Sequence, residues 1–133
     1  MEKSSINFSN VEKVCFIGGG ELMLKSIDIF YKYGFEVDVI IAPRHQKEIM
    51  QRNNIHSIFR DDKVKIQLVH DINNLSSWNH SAVSSFDAMA LCFGPAWIFT
   101  SEVISCFKYG MYNINLIPVP NYLGGAHFTW QLL

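Results

Sequence analysis

The sequence predicts an α/β fold with one parallel sheet. Short apolar runs alternate with segments of helical spacing along the chain, which is typical of consecutive βαβ units. The apolar runs contain few polar residues, as strands do when helices cover both faces of their sheet. At 133 residues the chain is long enough to bury the core of one domain. We therefore expect a Rossmann-like three-layer structure with helices on both faces.

The first βαβ unit is predicted from an apolar run at residues 14–17 that ends in three glycines, as a buried strand before a tight turn does. Residues 21–33 follow with helical spacing, and Gly34 is a natural stop for that helix. Residues 35–42 form the second expected strand, which Pro43 ends.

The later elements are predicted from the same patterns. Residues 46–53 indicate a weaker, polar helix, and residues 64–69 alternate like a strand at a sheet edge. The polar segment 71–85 indicates a loop with at most a helical turn. The remaining expected elements are a buried strand at 86–93, a helix at 100–109 capped by Thr100 or Ser101 and stopped by Gly110, and a fifth strand at 111–117.

The sequence patterns at the two ends of the chain lead to different predictions. Residues 1–12 are polar and are expected to be loosely ordered before a domain at 13–133. Residues 128–133 begin an apolar helix face that stops with nothing downstream to cover Trp130. We expect a domain that is incomplete at its C-terminal end, with a short peripheral helix as the alternative, and exposed Trp130 makes a homodimer a candidate assembly.

The composition excludes several classes of partner. A formal net charge of −1 supplies no basic face for nucleic acid. No apolar stretch follows a basic start, as in a signal peptide, and none is long enough to span a bilayer, so no membrane partner is expected. Three cysteines without motif spacing fit a reduced, cytoplasmic setting.

The glycines Gly18, Gly19 and Gly20 follow a strand and open a helix, which is the context of a phosphate site. NAD binding is disfavoured because Met23 occupies the third glycine position of the dinucleotide fingerprint. The second strand also ends without an acidic residue at Ala42. Two interpretations stay open: a tight turn without a ligand, and a turn that contacts a nucleotide sugar.

The five histidines show no metal-ligand spacing, so no metal is expected. Four of them lie in polar segments where a solvated side chain is the simplest expectation: His45, His56, His70 and His80. His127 lies in a glycine-rich loop and is the histidine with more weight as a ligand contact.

A ligand site is expected where the last two strands end. Asn113 and Asn115 alternate in the fifth strand, so both point to the same side. Gly94 and Pro95 follow the fourth strand, which should neighbour the fifth. Both loops would then open on one cleft at the carboxyl edge of the sheet.

The motifs at residues 90–131 carry a resemblance to a known family. They read Phe93-Gly94-Pro95-Ala96-Trp97-Ile98, then Asn113-Ile114-Asn115, Val119-Pro120, Leu123-Gly124-Gly125 and Thr129-Trp130. This order resembles the N-terminal domain of the folate-dependent formyltransferases, and most closely the branch that N-formylates nucleotide-linked amino sugars.

The resemblance implies transfer of a formyl group from 10-formyltetrahydrofolate to the amine of a nucleotide-linked amino sugar, without a metal. The sugar nucleotide would approach the turn at Gly18, Gly19 and Gly20. The folate would lie along the two loops of the later strands, at Phe93, Gly94, Pro95, Pro118, Pro120, Gly124 and Gly125.

The departures from the family pattern bear on catalysis. Asn113 matches the family's catalytic asparagine, but Asn115 stands at the position of its histidine and Leu123 at that of its loop arginine. The family's catalytic aspartate would lie beyond Leu133. An amide stabilises an oxyanion but does not titrate. We therefore expect little activity from this chain, with a non-catalytic folate- or partner-binding module as the alternative. His127 is a weak candidate to replace the missing histidine.

Overall fold

The computed structural model describes residues 8–50 and 64–114, and these residues form the α/β fold that the sequence predicts. One five-stranded sheet has the order β3-β2-β1-β4-β5, and every strand pair in it is parallel. The strands are β1 Lys13–Gly18, β2 Glu36–Ile41, β3 Val64–Leu68, β4 Ala88–Phe93 and β5 Met111–Asn113.

Helices cover both faces of the sheet. On one face lie α1 (Glu21–Lys32) and α2 (Gln46–Met50), and on the other lie α3 (Ser81–Ser84) and α4 (Ser101–Ser105). Single 3-10 turns follow β2 at Pro43–His45 and precede α3 at Leu75–Ser77. Within the two described ranges, no helix has the length and apolarity needed to cross a membrane.

The central strand β1 holds the two halves of the core together, and all six of its residues are buried. Its side chains alternate between the faces. Phe16 packs with Met23 and Ile27 of α1, whereas Ile17 packs with Val103 of α4. Burying each large apolar side chain stabilises the fold by roughly 1.5–3 kcal/mol, so β1 is the main contributor to both layers.

Helix α1 follows the predicted pattern at its face and at its end. Met23, Leu24 and Ile27 are buried, while Lys32 pairs with Asp28 at 2.7 Å on the exposed side. Gly34 has φ +88°, a left-handed conformation that ends the helix at low cost because glycine lacks a Cβ.

Helix α4 is shorter than the predicted helix at 100–109, because the chain after it turns inward to bury Cys106 and Phe107. Gly110, with φ +84°, then leads directly into β5. Thr100 occupies the N-cap position as expected, but its side chain makes no capping hydrogen bond.

The outer strands agree with prediction as far as they are described. The alternating pattern correctly indicated an edge strand, since β3 pairs only with β2 among the described strands. Strands β4 and β5 are neighbours, as expected. The predicted continuations at 51–53 and 115–117, together with the expected helix at 128–133, lie outside the described residues.

A buried ion pair lies near the amino end of β1. Lys13 Nζ is 3.1 Å from Asp38 Oδ2, and both side chains are almost fully buried. Lys13 also donates a hydrogen bond to the carbonyl of Ala82 at 2.7 Å and lies 3.9 Å from the ring centre of Phe86. Desolvation raises the pKa of Asp38, and the ammonium of Lys13 partly opposes that rise. Each charge therefore depends on the other.

Lys13→Met is expected to lower the free energy of unfolding by about 3–5 kcal/mol, because it leaves the Asp38 carboxylate buried without its partner. The double variant Lys13→Met/Asp38→Leu should recover much of that loss, since both charges are removed together. Urea denaturation measures the free energy of unfolding of both variants. The control is Lys108→Met, which removes the lysine of the exposed ion pair with Asp87. Equal losses in the Lys13 and Lys108 variants would contradict the dependence of the buried charges on each other.

Candidate functional site

A crevice opens at the carboxyl edge of the sheet, between the loops that follow β1 and β4. Here the strand order changes direction, since β1 pairs with β2 on one side and with β4 on the other. Open α/β sheets bind ligands at this place. The crevice has a volume of about 350 Å³, within the usual range for small-molecule sites. It is lined by Gly19, Gly20, Glu21, Leu22, His45, Phe93, Gly94 and Ile114.

The crevice exists because β1 and β4 stay paired to their last residues. Gly18 lies beside Phe93 in the register, and its φ of +130° suits glycine alone. A Cβ on Gly18 would overlap the carbonyl group of Phe93. That carbonyl accepts a hydrogen bond from the backbone N–H of Gly19 at 3.0 Å, which ties the two loops together.

The turn after β2 forms a third side of the site. The imidazole of His45 occupies the space where a Cβ on Gly19 would lie, so the absence of a side chain there admits the ring. Arg44 Nε donates to His45 Nε2 at 3.1 Å, and Arg44 Nη2 donates to the carbonyl of Gly94 at 3.1 Å. Arg44 thereby links the β2 turn to the β4 loop across the end of β1.

His45 corrects an expectation from the sequence. Its polar surroundings indicated a solvated side chain, but the ring is half-buried and lines the crevice. The signal that could have found it is position, because His45 ends a 3-10 turn directly after a strand that neighbours β1. His70 is exposed as expected, and His80 is half-buried, edge-on to Trp78. His56 and His127 lie outside the described residues.

The loop after β4 is held in place from the segment after β3. The side chain of Asn73 donates to the carbonyl of Ile98 at 2.8 Å and accepts from the backbone N–H of Thr100 at 3.0 Å. Trp97 Nε1 also donates to the carbonyl of His70 at 3.1 Å. No sequence pattern indicated the role of Asn73, which lies in a segment predicted only to be a polar loop. These bonds hold the Gly94 side of the crevice in one shape.

The crevice combines apolar walls with two polar side chains. Leu22, Phe93 and Ile114 supply the apolar surface, while Glu21 and His45 supply the polar groups. The thiol of Cys92 lies in the strand below, and burial raises its pKa to about 12. That thiol is therefore protonated near neutral pH and is a packing group rather than a nucleophile.

The structure brings several predicted site residues together. Gly19, Gly20, Phe93 and Gly94 line the crevice, whereas Gly18 and Pro95 adjoin lining residues in the chain and are not part of the lining. The structure does not bring Asn113 to the crevice: Asn113 is exposed at the end of β5, level with Cys92, and its neighbour Ile114 lines the crevice instead. The other predicted positions lie outside the described residues: Asn115, Pro118, Pro120, Gly124 and Gly125. Residues 8–50 and 64–114 contain no cluster of three or more His, Cys, Asp or Glu that could hold a metal ion.

Comparisons with known proteins find no matching family model, no matching curated protein and no matching solved structure. The chemistry of the site therefore follows from its geometry and from the motifs of the sequence.

Gly18→Ala is expected to destabilise the protein more than Gly34→Ala. Both glycines have positive φ, so each alanine meets left-handed strain of about 1–2 kcal/mol. Only at Gly18 does the new Cβ meet another atom within 4 Å, and overpacking there adds about 1–3 kcal/mol. Urea denaturation of the two variants measures the difference. Equal losses of unfolding free energy would show that β1 and β4 do not need to approach so closely.

Proposed function

We propose that the chain is a domain of the folate-dependent formyltransferase type, and that its crevice binds 10-formyltetrahydrofolate together with a nucleotide-linked amino sugar. One observation carries the proposal. The two turns that the resemblance assigns to the two ligands, Gly18–Gly20 and Phe93–Pro95, meet at a single crevice large enough for part of a small ligand.

The proposed reaction needs one bond exchange and one proton transfer. The neutral amine of the sugar attacks the formyl carbon, and an oxyanion forms before the carbon–nitrogen bond to the folate breaks. The amine loses a proton, and the folate nitrogen gains one as it leaves. The resemblance assigns stabilisation of that oxyanion to Asn113, whose amide is a hydrogen-bond donor and which lies beside the crevice residue Ile114 in the chain.

Proton transfer is the step that we expect this chain to catalyse poorly. General acid–base catalysis is typically worth about 10²–10⁴-fold, and Asn115 has an amide where the family pattern has a histidine. An amide neither takes up nor releases a proton near neutral pH. The proposed domain therefore binds its ligands and transfers the formyl group slowly.

A binding module without turnover is the second candidate, and Asn115 is the observation that favours it. In that case the crevice still binds folate or a partner, but no formyl group moves. Both candidates predict that a ligand binds in the crevice. They differ in whether a formylated product forms.

Incubation with 10-formyltetrahydrofolate and a nucleotide-linked amino sugar is expected to give formamide at a rate near background. Asn115→His should raise that rate by about 10²-fold or more, because it restores a titratable group at the family's histidine position. Mass spectrometry of the sugar nucleotide measures the product. Asn10→His, which adds an exposed histidine in the segment before β1, is the matched control and should leave the rate unchanged.

Three results separate the candidates. A gain from Asn115→His supports the formyltransferase proposal, whereas binding of the folate with no product from either protein supports the binding module. Calorimetry that detects neither the folate nor the amino sugar would contradict both.

A further inference from the structure

We infer that helix α1 is the interface of a homodimer, in which it packs antiparallel against α1 of a second copy of this chain. Two rows of side chains along the helix support this inference, and neither row depends on the proposed function. The first row is apolar and exposed, and the second consists of charges whose signs alternate. Each row is complementary to its own reverse, which a two-fold symmetric interface requires.

The first row is the α1 stripe, four residues that share the outward face of the helix because they are three or four positions apart. It consists of Leu22, Ser26, Ile29 and Tyr33, the last directly after the helix ends. The exposed fractions of Leu22, Ile29 and Tyr33 are 43%, 53% and 81%. A surface helix normally has polar residues on this side, whereas contiguous apolar side chains there are typical of a face that another protein covers.

Ser26 is the small, polar member of the α1 stripe, and its burial costs little. Its hydroxyl donates to the carbonyl of Leu22 at 2.8 Å, so the hydroxyl already has an acceptor within the helix. In an antiparallel pair centred between Ser26 and Ile29, Ile29 of each copy lies over Ser26 of the other, and Tyr33 lies over Leu22. A large side chain then faces a small one at the centre, so the two helices interdigitate.

The second row lies beside the α1 stripe and has the same spacing. In chain order it reads Glu21, Lys25, Asp28 and Lys32, so its signs alternate. Within one helix Lys32 pairs with Asp28 at 2.7 Å, and Lys25 lies 3.8 Å from Glu21. In a two-fold antiparallel pair the rows of both copies run side by side in opposite directions. Lys25 of each copy then faces Asp28 of the other. Because a carboxylate accepts several hydrogen bonds, these contacts add to the pairs within each helix.

The charges favour the antiparallel arrangement over a parallel one. In a parallel two-fold pair the charged rows would lie on opposite sides of the interface and would not meet. Complementary charges across an interface fix its register. The 12 residues of α1 span about 18 Å at a rise of 1.5 Å per residue, so the contact is small. We therefore expect a weak dimer with a micromolar or higher dissociation constant.

Sedimentation equilibrium of the full chain over a wide range of concentrations measures the dimer. Ile29→Glu is expected to weaken dimerisation by about tenfold or more, because it places a carboxylate in the apolar contact. The matched control is Ile104→Glu, at an isoleucine of similar exposure in α4 on the other face of the sheet, and it should leave the dimer unchanged. Melting temperatures of the dilute, monomeric variants show that each is folded.

An exchange of charges tests the antiparallel register. Asp28→Lys alone makes Lys25 of each copy face a lysine, and Lys25→Glu alone makes two carboxylates face each other. Each variant is expected to dimerise about tenfold less tightly than the wild type. A mixture of the two variants should dimerise nearly as tightly as the wild type, because each new charge then faces its opposite in the other variant. The control mixture replaces Lys25→Glu by Lys47→Glu, at an exposed lysine of α2, and should not restore the dimer.

Four results would overturn the inference. The first is a monomer at every concentration, and the second is equal weakening by Ile29→Glu and Ile104→Glu. The third is a mixture of the two charge variants that dimerises no better than either variant alone. The fourth is a dimer that Trp130→Ser abolishes and Ile29→Glu leaves intact, since its interface would then not be α1. None of these results bears on the binding of folate, so the proposed function is tested separately.

Discussion

The site depends on the close approach of β1 and β4 at Gly18 and Phe93. The two strands remain paired to their last residues because Gly18 has no side chain to force them apart. The N–H of Gly19 then bonds to the carbonyl of Phe93, and the chain turns away into α1. If the strands separated earlier, the loops would diverge below the edge of the sheet. The crevice is thus formed by the backbone packing of β1 and β4, and its existence does not depend on the side chains that line it.

The amino and carboxyl ends of the strands carry different polar groups. Near the amino end of β1, Lys13 and Asp38 form a buried ion pair. Removal of either charge leaves the other buried without compensation, which destabilises the fold. At the carboxyl edge the polar groups of Glu21 and His45 face a crevice. The buried ion pair therefore lies at the amino ends of the strands, and the polar residues that line the crevice lie at the carboxyl ends.

The sequence predicts the local elements well and the long-range contacts poorly. Apolar runs identify the strands, and the alternation at residues 64–69 agrees with the place of β3 at the edge of the sheet formed by the described strands. The place of His45 in the crevice lining was not predicted, because it depends on which strand neighbours β1, and local spacing carries no such information. Asn73 was missed for the same reason, since its two bonds reach a loop some 25 residues away. The motifs of residues 115–131 stay predictions, because they lie outside the described residues.

Amide chemical-shift mapping can show whether a ligand binds at the carboxyl ends of β1 and β4, as we propose. Folic acid is added to isotopically labelled protein, and shifts are followed along the chain. If folic acid binds there, the largest shift changes occur at Gly19, Gly20, Gly94 and Ile114, and none occur at Glu36 or Asp87 near the amino ends of the strands. Shift changes centred on the amino ends, or no change at saturating folic acid, would show that the ligand site is not at this crevice.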